Sequence, residues 1–278
     1  MKAILLLSII LCFPHFMNAQ NEEKKQSIDT VQLNRYYEKI NSVRLFSIDR
    51  QKYLDSILFE TPTNAYLWQQ KAMPLFKQKK YELGLQYLDS AIKYDKTDHY
   101  IEYGAFIKCI FVRSYKNSIL DFESLKSKHK IGFVMDHSYD FYLGLCYLQL
   151  NQFEKAEEYF SKSISYSEEK WGFGHFVEYF YLGIANMELG KLNLAMKYFD
   201  KTLNLYPEFP DVKFYKALFL EKDKKYQEAT EIINQAKVDF SKGYSINEGN
   251  SIYEEYPYQI KEYWLKTELE IIEELKKK

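Results

Sequence analysis

Residues 176–209 read FVEYFYLGIANMELGKLNLAMKYFDKTLNLYPEF. Apolar residues recur at helical spacing on both sides of Leu189-Gly190, and Pro207 stops the second run,. The stretch therefore predicts a helix, a tight turn, a second helix and a proline stop. Gly183 and Ala195 are small enough to let the two helices approach closely, and large side chains such as Phe199 fill the space between them. The same pattern recurs upstream in Leu143-Gly144, Tyr147, Phe153, Ala156 and Phe160. It recurs downstream in Ala217, Leu220, Tyr226, Ala229 and Ala236, and near the start in Trp68, Ala72, Tyr81, Gly84, Leu88 and Ala91. A worn copy carries Ala105, Tyr115, Ser118 and Phe122.

The small second-helix residue moves through Gly84, Ser118, Ala156, Ala195 and Ala229 at intervals of 34, 38, 39 and 34 residues. Several size-specific positions in register resemble the tetratricopeptide repeat, a helix-turn-helix unit of about 34 residues. The resemblance implies an all-α protein, an α-solenoid of about five such repeats with capping helices at both ends. The repeat region is expected over 65–243, divided into 65–98, a degenerate 99–132, 137–170, 176–209 and 210–243. Residues 20–64 form a polar linker and N-terminal capping helices, in which 51–59 reads as the second helix of a worn unit. Residues 244–278 form a loop and a C-terminal capping helix. Pro257 is expected to open that helix, where a missing N–H costs nothing, with Ile260, Trp264, Thr267, Ile271 and Leu275 as its buried stripe.

Composition agrees with a folded helical chain. Hydrophobic residues make up 46% and charged residues 28%, while 10 Gly and 6 Pro are too few for a turn-rich β sandwich,. Lys and Arg number 38 against 39 Asp and Glu, so there is no basic excess of the kind that grips a nucleic-acid backbone,. No nucleic-acid partner is expected. The 26 Tyr and 20 Phe are the unusual feature.

The N-terminus reads as a signal peptide over 1–19: Met1-Lys2, an apolar run from Ala3 to Phe13 broken only by Ser8, then cleavage after Ala19,. The run is shorter than the roughly 20 apolar residues of a membrane-spanning helix, and no other segment approaches that length. The expected location is exported: periplasm, outer envelope or secreted. Cys12 raises lipid anchoring as an alternative, but Leu11 is too large for the usual lipidation box and no polar tether follows. Cys109 and Cys146 fall within apolar helical patterns and read as small core residues,.

The sequence holds no glycine-rich phosphate loop after a strand, no GxSxG, no HExxH and no CxxC,. No catalytic residue, cofactor or metal site is expected. His99, His129, His137 and His175 fall at or near repeat junctions, beside the insertions Gly132-Phe133 and 171–174, but no His-x3-His spacing supports a metal. By the geometry of the resembling family, the first helix of each pair lines the inner surface. Carried onto this chain, that face is apolar: Phe141, Leu145, Phe180, Tyr181, Ile184, Phe214, Tyr215 and Leu218 form the expected partner-binding groove. Family members that clamp acidic tails place Lys, Asn and Arg there, so the departure favours a protein or peptide segment with apolar or aromatic anchors. The expected function is a non-enzymatic interaction module, a scaffold, adaptor or assembly factor. An inhibitor or immunity-type protein that occludes an exported enzyme, or a glycan-binding solenoid presenting Trp171, is the alternative. The C-terminal helix, or the Tyr-rich loop with Tyr253, Tyr256 and Tyr258, is also able to fold back and fill the groove.

Overall fold

The computed structural model describes residues 30–277; the leader, Cys12, the cleavage site after Ala19 and the polar run 20–27 lie outside the described residues. The chain divides into two compact units between Thr63 and Asn64. The first holds α1 (Thr30–Ser42) and α2 (Ile48–Glu60), which pack on each other. The Ser47 hydroxyl starts α2 by accepting from the Arg50 amide at 3.1 Å, satisfying one of the unpaired first-turn donors,.

The second unit is a row of five helical hairpins. They are α3 (Ala65–Lys77) with α4 (Tyr81–Tyr94), α5 (His99–Ile110) with α6 (Tyr115–His129), α7 (Tyr139–Gln149) with α8 (Phe153–Trp171), α9 (Phe176–Glu188) with α10 (Leu192–Leu205), and α11 (Pro210–Lys222) with α12 (Tyr226–Ser241). The final helix, α13 (Glu262–Leu275), packs on α12. First helices also meet directly, α5 with α7 and α7 with α9, and make an inner layer. The all-α solenoid follows from this succession of neighbour-on-neighbour contacts.

Close approach inside each hairpin is what the small residues permit. A Cβ added at Gly183 would stand 2.6 Å from the Phe199 ring, and one at Gly144 2.6 Å from the Phe160 ring. Both rings are fully buried. The degenerate hairpin uses Ser118 at its small position, and its hydroxyl donates to the Ala105 carbonyl at 2.8 Å. Each hairpin turns through a left-handed residue at the same place: Lys79, Arg113, Asn151, Gly190 and Lys224. Only one of the five is glycine.

Tyrosine hydroxyls tie successive hairpins. Tyr139 on α7 bonds Glu102 on α5, and Tyr159 on α8 bonds Glu123 on α6. Cys109 and Cys146 are free thiols buried 3.4 Å apart between α5 and α7, and burial pushes the Cys109 thiol well above its usual pKa, with Cys146 adding to the effect.

Two local features differ from expectation. The insertion after α6 forms a short hairpin, β1 (Phe133–Val134) against β2 (His137–Ser138), antiparallel with Val134 opposite His137. Met135 turns it at φ 51°, and the Tyr142 hydroxyl donates to the Val134 carbonyl at 3.3 Å. The last helix starts at Glu262, not at Pro257, and its buried face is Leu265, Glu268 and Ile272. Thr267 and Ile271 are exposed. The expected stripe slipped because Ile260 is not helical: its amide is held by Asp211 at 2.8 Å, which breaks the phase between Ile260 and the helix.

Gly183→Ala forces a methyl group to within 2.6 Å of a fully buried ring. It is expected to cost about 1–3 kcal/mol, read as a lower denaturant midpoint in circular dichroism, whereas an unchanged midpoint would show that the two helices have room to separate.

Candidate functional site

The inner layer of first helices is occupied. Residues 244–261 leave the end of α12 through Gly243, whose φ is 87°, and cross this layer as an irregular strap. Ile246, Glu248, Glu254, Tyr256 and Ile260 of the strap are buried. Its contacts run from one end of the row to the other. Near α3, the Lys77 ammonium lies 4.4 Å from the Tyr253 ring centre. Beside it, Glu254 is bonded by Tyr81, with Lys79 at 3.8 Å and Arg113 at 3.9 Å. Lys79 and Arg113 are the left-handed turn residues of two consecutive hairpins. The repeat thus places two cations on one buried carboxylate, which offsets the cost of burying it.

At the other end the strap is gripped by its main chain. The Tyr181 hydroxyl donates to the Pro257 carbonyl and the Tyr215 hydroxyl to the Tyr258 carbonyl, both at 2.8 Å. Tyr258 in turn donates to Glu188 at 2.7 Å. Trp264, the third residue of α13, packs on Phe214 at 5.8 Å.

The residues of the expected groove stand on the first helices α7, α9 and α11; of them Tyr181 and Tyr215 bond the strap and Phe214 packs on Trp264. Phe141, Leu145, Phe180, Tyr181 and Ile184 are wholly buried, Phe214 and Tyr215 nearly so, and Leu218 is half-buried. Burying rings of this size favours occupancy in cis over an apolar face left in water. The strap leaves a pocket of about 160 Å³ near the α3 end, lined by Gln69, Met73, Phe76, Tyr103, Met135 and Asn250 among others.

Asp211 was not singled out from the sequence; its only signal is its place after Pro210 in the first turn of α11. It is completely buried, its Oδ1 accepts from the Ile260 amide, and its Oδ2 has no hydrogen-bond partner among the described residues. Burial pushes its pKa up to about 7. Glu268 is raised to about 8, first by burial and then by Glu221.

The histidines divide into two sets. His99 sits beside Tyr100, and His129 pairs with Asp98 at 3.2 Å on the exposed side. His137 and His175 are brought together, their ring centres 5.2 Å apart. Glu248 of the strap joins them, its Oε1 3.0 Å from His137 Nε2. One donor atom from each of the three lies within 4.8 Å of the others. His137 is buried and stacks on Phe141 at 4.0 Å. His175 is exposed, and its ring centre lies 4.5 Å from that of Phe176. Its pKa is pushed down by burial, then by His137.

A buried polar chain fixes the two turns that carry these histidines. The Ser138 hydroxyl caps α7, accepting from the Phe141 amide at 3.2 Å. It meets the Ser163 hydroxyl at 2.7 Å, and Ser163 donates to Glu178 at 2.5 Å. The other oxygen of Glu178 accepts from the His175 amide at 3.3 Å. The sequence signal for this cluster was the pair of insertions beside the histidines; the third member, 73 residues beyond His175, had none.

Comparison with known proteins agrees with the geometry. Family descriptions named "Tetratricopeptide repeat" match residues 141–170 and 179–208, the third and fourth hairpins. Those two hairpins are tetratricopeptide repeats, and the whole row shares their fold. Among solved structures it is similar to PilW, a widely conserved type IV pilus biogenesis factor. That match has a TM-score of 0.60 and 15% identity over 76% of this chain and 93% of the other. A tetratricopeptide repeat protein from Parabacteroides merdae matches with a TM-score of 0.57 and 14% identity, over 87% and 97%. MamA from Desulfovibrio magneticus matches with a TM-score of 0.54 and 14% identity, over 64% and 96%. At these identities the likeness is one of fold. No curated protein matches the chain in sequence. Among the described residues, no helix is long and apolar enough to cross a membrane.

Asp211 and Glu268 give stability a definite pH dependence. Their native pKa values lie above those of the unfolded chain, about 3.9 and 4.3, so the native state holds the extra protons and stability falls as pH rises from about 4 towards 7 or 8,. Asp211→Asn keeps an acceptor for the Ile260 amide. It is expected to flatten this decline between pH 4 and 7, leaving the part due to Glu268; urea titrations at a series of pH values will show it, and an unaltered slope would mean Asp211 is ionised in the fold.

Proposed function

We propose that this protein is a non-enzymatic protein–protein interaction module whose inner layer holds an extended segment by aromatic anchors and main-chain hydrogen bonds. The observation that carries this reading is the grip of Tyr181 and Tyr215 on the carbonyls of Pro257 and Tyr258. Main-chain carbonyls are common to every peptide, so the same hydroxyls serve a segment from another molecule that takes the strap's place. In this reading Phe141, Leu145, Phe180, Ile184, Phe214 and Leu218 are the apolar residues that accompany those hydroxyls on α7, α9 and α11. The strap is then an occupant in cis. A partner segment needs aromatic side chains to replace Tyr256 and Tyr258, and an acidic one to meet Lys79 and Arg113. Such exchange suits a scaffold, adaptor or assembly factor.

The same proposal places the protein outside the cytoplasm, on the strength of Met1-Lys2, the apolar run from Ala3 to Phe13 and the small Ala19,. Export predicts a mature N-terminus at Gln20; intact Met1 in the envelope fraction would contradict it. Trp171 favours a second reading on a different surface. It is 47% exposed and meets Phe133 at 5.6 Å and Tyr166 at 5.9 Å, forming an aromatic platform at the end of α8 of the kind that stacks on sugars.

The exchange is tested with Glu254→Lys, which sets a third cation against Lys79 and Arg113 and loosens the strap without touching the hydroxyls of α9 and α11. A labelled peptide with the native sequence of residues 252–261 is expected to bind this variant more tightly than the unaltered chain, by fluorescence anisotropy. Adding Tyr181→Phe and Tyr215→Phe is expected to remove the gain. No binding to any of the three would show that the strap is a permanent part of the fold and that the inner layer takes no partner.

A further inference from the structure

We propose that His137, His175 and Glu248 form a binding site for a divalent transition metal of the zinc class, and that the metal staples the strap to the hairpin row. The donor set comes from three separate parts of the second unit. His137 stands on β2, His175 at the start of α9, and Glu248 in the strap. Two imidazoles and one carboxylate are a donor set that zinc uses, with water completing four-coordination.

The geometry is close to what the ion requires. Bonds of about 2.0–2.2 Å set tetrahedral donors roughly 3.3–3.5 Å apart. His137 Nε2 and Glu248 Oε1 are at 3.0 Å, and no donor pair exceeds 4.8 Å. The remaining closure falls on His175, the exposed member of the three. Its exposure also gives the ion an entry path and leaves a position for water.

The surroundings are organised as support for ligands. The chain from Ser138 through Ser163 to Glu178 fixes the backbone of the residue next to His137 and of His175 itself. Phe141 holds the plane of the His137 ring. Buried carboxylates and hydroxyls cost stability unless satisfied, and this set spends them on orienting two imidazoles toward one point. Outer contacts of this sort commonly set ligand direction in metal sites. The site goes beyond the exchange reading above: it holds whether or not a partner displaces the strap, and if one does, the metal sets how readily the strap lets go. It also reverses the expectation from sequence that no metal is bound, because the third ligand is remote in the chain.

The test uses the full chain, stripped with a chelator and dialysed. Zinc chloride is titrated by calorimetry, and cobalt chloride by visible absorption. The expected result is one ion per chain, a cobalt spectrum of tetrahedral intensity, and a melting temperature that rises with free zinc as mass action requires. Hydrogen exchange of amides in 244–261 slows on loading. His175→Ala leaves the metal-free protein folded, because that side chain is exposed, and weakens zinc binding by more than the about 10–100-fold that loss of an outer contact produces. Glu248→Gln abolishes the slowed exchange. Absence of stoichiometric uptake by the unaltered chain would overturn the proposal, and so would uptake that His175→Ala leaves unchanged. Neither result bears on peptide exchange, whose own test is run on metal-free protein.

Discussion

The structure depends on how near two helices of a hairpin are allowed to come. Gly183 faces Phe199, and Gly144 faces Phe160, with no space left for a methyl group. Because each ring is placed by a glycine on the partner helix, the hairpin has one depth and one crossing. Repetition of that unit aligns the first helices into a continuous layer, and their outward-looking residues are again aromatic. An unusual number of tyrosines then has a physical use. Tyr139, Tyr181 and Tyr215 each place a ring on a first helix and a hydroxyl on a carboxylate or carbonyl of another element, and Tyr159 of α8 bonds Glu123 in the same way.

An apolar layer on one side of a solenoid has to be covered. Here the chain covers its own, with a segment that is neither helix nor strand. An irregular segment leaves main-chain groups unpaired, and burial makes each one costly. The inner layer supplies the missing partners: Tyr181 and Tyr215 donate to carbonyls, and Asp211 accepts from the Ile260 amide. Burial of Ile246, Tyr256 and Ile260 adds roughly 1.5–3 kcal/mol each before the cost of ordering the strap. Recognition of a peptide-like segment is thus already performed once within the molecule, and this is why an interaction role is the function the geometry supports best.

The hairpins were legible in the sequence because their determinants are local and repeat: a small residue, a turn and a ring at fixed distances. Even the degenerate hairpin was found, since Ser118 keeps the small position while adding a hydrogen bond. The first-helix face was legible only as a placement: Phe141, Phe180 and Tyr215 stand on α7, α9 and α11, and all three are buried. What covers that face was not. Glu254 meets Lys79 and Arg113 across more than 140 residues, and no periodicity encodes such a pairing. Position along α13 was misjudged for a related reason: Ile260 is apolar and precedes the helix at plausible spacing, yet it answers to Asp211 on another hairpin. His137 and His175 drew notice through the insertions beside them, but Glu248 is one acidic residue among many until the strap is placed.

Hydrogen exchange at the Ile260 amide tests the central claim most directly. This single N–H lies in an irregular segment, outside any helix, and is held by a carboxylate buried in the inner layer. If residues 244–261 occupy that layer as described, it exchanges as slowly as the amides in the middle of α9. If it exchanges at the rate of an unstructured chain, the strap is not seated, the first helices face solvent, and the account of this surface is wrong.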